Sequence, residues 1–182
     1  MSRRVAQFLY SRSLVLLAAL PILVALDLPA HADGLLKVEQ TVFGMDCAPC
    51  AYGIQKGVMA LPGVKQATVN LNTGVASIVL APDSPTTLAQ IRKVILEHGF
   101  SPKQARVMLS GELQQNIGRY WLIAGGTRYL LSATKPGILS TLKPGEHIVV
   151  EGQIAAGHEQ DSAVTVTRAH QTPSAPASPR GA

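Results

Sequence analysis

Three observations predict an α+β fold for this chain. Between Leu35 and Leu109 the apolar residues alternate, shift to helical spacing, and repeat that change once more. Beyond Leu109 come five short β-branched and aromatic runs, parted by glycine and proline. Apolar residues make up 47% of the 182, enough for a core in one domain or in two small ones.

The first strand is expected over residues 35–42. Leu36, Val38 and Val42 fall mainly on every second place, with Gln40 interrupting the row. Gly44 permits a loop, and from Pro49 the period lengthens so that Ala51, Ile54, Val58 and Leu61 share one helical face. Pro62-Gly63 stops that helix. Residues 64–71 and 75–80 read as a hairpin turning at Asn72-Thr73-Gly74. Ser84 is the expected cap of a second helix with Pro85 at its first position, and Leu88, Ile91, Val94 and Ile95 form its buried stripe. Gly99 ends it, and residues 103–109 return as a fourth strand. Strand, helix, strand, strand, helix, strand is the ferredoxin-like order, with four antiparallel strands under two helices.

After residue 109 the expected strands are 108–113, 120–124, 127–132, 147–154 and 163–168, the first able to continue directly out of the preceding domain. A short turn or helix is expected over 137–142. So many short strands in so little chain suggest a small OB-like β-barrel. The expected organisation is therefore a leader over 1–32, a ferredoxin-like domain over 33–108, a β-barrel over 109–170, and a Pro-, Ser- and Ala-rich disordered tail over 171–182.

The leader is read from Arg3, Arg4 and Arg12, from the apolar run over residues 14–26, and from the small-x-small pattern Ala30-His31-Ala32. Cleavage after Ala32 and a periplasmic or otherwise exported location follow as expectations. The apolar run is short of the ~20 residues that span a bilayer, so no membrane span is expected once the leader is gone. Residues 33–182 then hold 13 Lys and Arg against 10 Asp and Glu. So small an excess, scattered along the chain, argues against nucleic acid despite Tyr120, Trp121, Tyr129, Arg119 and Arg128.

Chemistry concentrates in Gly44-Met45-Asp46-Cys47-Ala48-Pro49-Cys50, which holds both cysteines of the chain. A C-x-x-C where a loop enters a helix favours thiolates, because the helix N-terminus stabilises negative charge. Two thiolates suit soft d10 ions such as Cu(I) or Hg(II), whereas tetrahedral Zn(II) asks for two more ligands. Asp46 is a candidate further ligand that would favour Zn(II) or Cd(II). The plainer alternatives, that it faces solvent or caps the helix, are favoured. His98 at a helix end, the isolated His147, His158 and His170, and Met59 and Met108 carry no expected metal. Redox catalysis by the cysteine pair is the main rival, and a structural disulfide the blandest reading. Ala51 stands where haem attachment requires histidine. With no His-paired nucleophile, phosphate loop or facing carboxylates, no enzyme is expected.

These residues, in this strand and helix order, resemble the heavy-metal-associated domain of copper chaperones, periplasmic mercury-binding proteins and the N-terminal modules of metal-pumping P-type ATPases. The resemblance covers residues 36–108 and rests on G-M-x-C-x-x-C. It implies Cys47 and Cys50 as ligands, Met45 packed inward to steady the loop, and Gly99-Phe100 close to the metal loop. It also implies a transporter or acceptor protein as partner. The second domain is outside the resemblance and is expected to dock that partner.

Overall fold

A computed structural model describes residues 33–157 and 162–171. The expected leader over 1–32 and the tail beyond Gln171 lie outside the described residues. The elements in chain order are β1 (Gly34–Phe43), α1 (Ala48–Met59), β2 (Val64–Asn70), β3 (Val75–Leu80), α2 (Leu88–Glu97), β4 (Ser101–Asn116), β5 (Arg119–Ala124), β6 (Thr127–Ala133), β7 (His147–Ile154) and β8 (Ala163–Gln171).

The first half is ferredoxin-like. β2, β3, β1 and β4 lie side by side, all antiparallel, with α1 packed on β2 and α2 on β1 and β4. Burial follows the apolar periods: Ala51, Ile54 and Val58 from α1, and Leu88, Ile91 and Ile95 from α2, face the sheet. Three local expectations are corrected. Leu35, not Leu36, is buried at the start of β1, because a bulge between Leu35 and Lys37 re-phases the strand. The second helix begins at Leu88 rather than beside Ser84. Thr87 caps it in a reciprocal capping box with Gln90, while Ser84 donates instead to the Pro62 carbonyl at 3.2 Å. The buried stripe also differs, with Arg92 buried through its bonds to Gln40, Lys103 and Ala155 and Val94 only half-buried.

β4 does not stop at residue 109. Over 16 residues it pairs with β1 through Ser110, with β7 from Ala105 to Glu112, and with β5 from Glu112 to Asn116. The expected domain boundary at 108/109 thus falls inside one strand. The change of neighbour occurs at Gly111, where a Cβ would collide with the Ile123 carbonyl oxygen. From there β4, β5, β6, β8 and β7 pair in that order, and β7 returns to β4, so the five pairings close a ring. All are antiparallel except β6 with β8. Residues 137–142 form turns without a helix, and Leu139 from that stretch is buried under the ring. Gln171, expected in the tail, is the last residue of β8 and pairs with Ile148.

One apolar cluster runs through both halves, from Val38, Ile54, Ile78 and Ile91 to Leu113, Leu122, Ile148 and Val164. No helix among the described residues is long and apolar enough to cross a membrane.

Candidate metal centre

The loop joining β1 to α1 sits at one end of the sheet, where β1 hands Phe43 outward and turns at Gly44. Gly44 has φ +89°, the left-handed region that suits a residue without Cβ. Met45 then drops into the core at 5% exposure, while Asp46 on its other side is exposed. One inward and one outward residue hold the chain on course for the helix.

Cys47 is the N-cap of α1. Its backbone is extended, its carbonyl accepts from Cys50 N at 3.0 Å and Ala51 N at 3.1 Å, and its Sγ accepts from Cys50 N at 3.2 Å. Pro49 fits the first turn, where a missing N–H costs nothing. Cys50 lies on that same turn, half-buried against the core. The Cα atoms are 5.2 Å apart and the two sulfurs are joined as a disulfide. In the reduced form the same scaffold presents two sulfurs together at a helix N-terminus, with no acidic side chain in the first turn to repel their charge.

The donor set is small. Among the described residues no group of three or more His, Cys, Asp or Glu gathers around a common point, so Asp46 does not form such a cluster with the cysteines. Two sulfurs suit a soft ion of low coordination number better than one demanding a tetrahedron. Phe100 is half-buried and packs on the core just before β4. His98 is the C-cap of α2, with Nδ1 2.8 Å from the Val94 carbonyl and its ring laid over Gly53 and Gly57 of α1. Those glycines leave the room that a Cβ would fill. His147 instead joins Asp33 at 2.5 Å, at the start of β7.

Two residues not expected from the sequence flank the loop. Phe43 is 67% and Tyr52 64% exposed, and the Lys103 ammonium lies 5.2 Å from the Phe43 ring centre. The alternation that buries Val42 carries the signal for Phe43, since the next residue must face out. Tyr52 lies beside the buried Ala51, off the helix stripe.

Residues 40–101 match the heavy-metal-associated domain family. Over 84 residues the chain is 37% identical to a copper-exporting P-type ATPase of Staphylococcus haemolyticus, which covers 44% of this chain and 10% of the ATPase. It is 44% identical over 62 residues to copper-transporting ATPase 1 of Rhizobium meliloti, covering 33% of this chain and 7% of that protein. The chain thus spans about a tenth or less of the length of these curated relatives. Among solved structures, the CopZ metallochaperone aligns at 24% identity and TM-score 0.35, covering 36% of this chain and 97% of its own. A copper-binding domain from HMA7, a P-type ATPase, aligns at 29% identity and TM-score 0.35, covering 40% and 92%. The segment of this chain over residues 40–101, which carries both cysteines on its first loop and helix, is a heavy-metal-associated domain.

Proposed function

We propose that this protein is an exported carrier of a soft metal ion, Cu(I) foremost, which it sequesters or hands to a transporter through Cys47 and Cys50. One observation carries the reading: both cysteines stand together at the half-exposed start of α1, inside a heavy-metal-associated domain. Relatives named as copper-exporting ATPases and a metallochaperone support copper over mercury, zinc or cadmium. The metal is cargo, so the working form is the dithiol. An incoming thiolate from a partner adds to the bound ion, one protein sulfur leaves, and the ion passes on without entering water. Phe43 and Tyr52 would give that partner an apolar rim to seat against.

Export is part of the proposal, with the leader cut after Ala32 and the protein acting in the periplasm or an equivalent space. The strand ring is read as OB-like. Its support is the long first strand shared between two neighbours and the parallel β6–β8 pair. Its role would be to dock the transporter or acceptor, and no catalytic activity is assigned to it.

Binding of one equivalent of Cu(I) to protein reduced with a thiol reductant tests the reading. Cys47→Ser and Cys50→Ser should each lose about 100-fold or more in affinity, since each removes one of two ligands. Equal binding by wild type and both variants would sink it. The disulfide joining the pair favours a second reading, a thiol–disulfide protein of the same compartment. Turnover in a disulfide reductase assay, lost in either serine variant, would support that one.

A further inference from the structure

Asp83 is an aspartate in the left-handed region, φ +56°, a conformation that Asp and Asn tolerate better than other side chains but still at a cost. What holds it there is Asp33. The Asp83 N–H donates to the Asp33 carbonyl at 2.9 Å, and in return the Asp83 carboxylate takes the Asp33 backbone nitrogen at 3.3 Å. Fifty residues apart, the two close a reciprocal pair. Asp33 also reaches the strand ring, its Oδ1 lying 2.5 Å from His147 Nε2. The next residue, Gly34, has φ +113° and passes against the backbone of Gly125 in the turn between β5 and β6. One end of β1 therefore touches the loop before α2 and two elements of the ring.

We propose that Asp33 is the first residue of the working protein and that its new α-ammonium is bound by the Asp83 carboxylate. Removal of the leader would then itself complete a clasp joining β1, the loop before α2 and β7. The inference rests on the export reading above, since Asp33 directly follows Ala30-His31-Ala32. A leader protease supplies the chemistry: water adds across the Ala32–Asp33 peptide bond, the carboxylate stays on Ala32, and Asp33 gains an amine that takes up a proton. An uncharged amide with one N–H becomes a cation with three N–H donors at neutral pH. A charge-assisted hydrogen bond is roughly twice as strong as a neutral one, so the carboxylate already in place gains a better partner at no cost in rearrangement. In the unprocessed chain the same nitrogen offers only the amide.

Two measurements test this and separate its failure from that of the export reading. Intact mass of the full chain expressed with its leader and recovered from the periplasm should begin at Asp33. A different start in periplasmic protein overturns the clasp and leaves export standing, whereas a chain that stays in the cytoplasm with its leader attached overturns both. Proteins beginning at Asp33, and at one glycine placed ahead of it, are then compared with and without Asp83→Asn, which keeps a side chain suited to φ +56°. In the wild-type background the added glycine should lower Tm by about 1–3 °C and speed exchange of the Asp83 amide about threefold, the scale of a partly exposed ion pair. In Asp83→Asn the glycine should change neither. If the glycine has no effect on wild type, or the same effect in both backgrounds, the clasp is wrong even where the mass begins at Asp33.

Discussion

Asp46 stands one residue ahead of the helix cap, with its side chain in solvent, and Cys47 performs the capping. Asp46→Thr should therefore leave Cu(I) affinity and the preference between Cu(I) and Zn(II) unchanged, as competition titrations with a chelator of each metal can measure. A drop in Zn(II) affinity alone would bring the carboxylate into the coordination shell. The cysteine pair was legible in the sequence because its spacing is local: three residues, one turn of helix and one glycine define it. The capping role of Cys47 was not, since sulfur is a poor entry in any list of caps and only the Cys50 N–H at 3.2 Å reveals it. Gln40 was harder still. It interrupts an apolar alternation, yet it is fully buried, because its partner on α2 lies 52 residues away. Nothing local announces that partner.

At the scale of elements, order and type followed from periodicity, and the differences lie at ends and joins. Ser84-Pro85 and Thr87-x-x-Gln90 both read as helix starts, and the second wins because it satisfies two end groups reciprocally. β4 is longer than either strand expected at its place because it serves two sets of neighbours. A residue pattern shows that a segment is extended, but not which strands flank it. Gly111 is the point where β1 gives way to β5 on one edge of β4 while β7 stays paired along the other, and the Ile123 carbonyl occupies the space of the missing side chain. Gly111→Ala must push β5 away from β4 or bend β4 itself. We expect a loss of about 2 kcal/mol, the scale of overpacking against a rigid backbone, and a Tm lower by about 4–8 °C. Thermal unfolding followed by circular dichroism measures it, and an unchanged Tm would mean that the close approach is not maintained in solution.

Across the whole molecule the two halves share a strand, an apolar cluster and one guanidinium. Arg92, 7% exposed, donates from Nε to Gln40 Oε1 at 3.0 Å, and from Nη2 to the carbonyls of Lys103 at 3.2 Å and Ala155 at 3.0 Å. Gln40 in turn donates to the carbonyls of Thr41, Lys103 and Gln104. A side chain of α2 thus ties β1, the start of β4 and the chain leaving β7. Its burial comes from the tertiary fold alone, which is why the helical stripe read from the sequence omitted it. Removing the cation takes the donor from the buried Gln40 amide oxygen and from the Ala155 carbonyl, while the Lys103 carbonyl keeps Gln40 Nε2, and the unpaired amide oxygen costs more than the modest net worth of one bond. Arg92→Met should cost about 3 kcal/mol and lower Tm by about 6–12 °C. The amides around Ile154 should exchange faster together with those of α2, because both lose the same tie. Gln40→Leu combined with Arg92→Met should cost at least about 1 kcal/mol less than the two changes added separately, since the amide oxygen that needed the guanidinium goes with it. Strict additivity, or faster exchange confined to α2, would show that the ring and the ferredoxin-like half are held by the sheet alone.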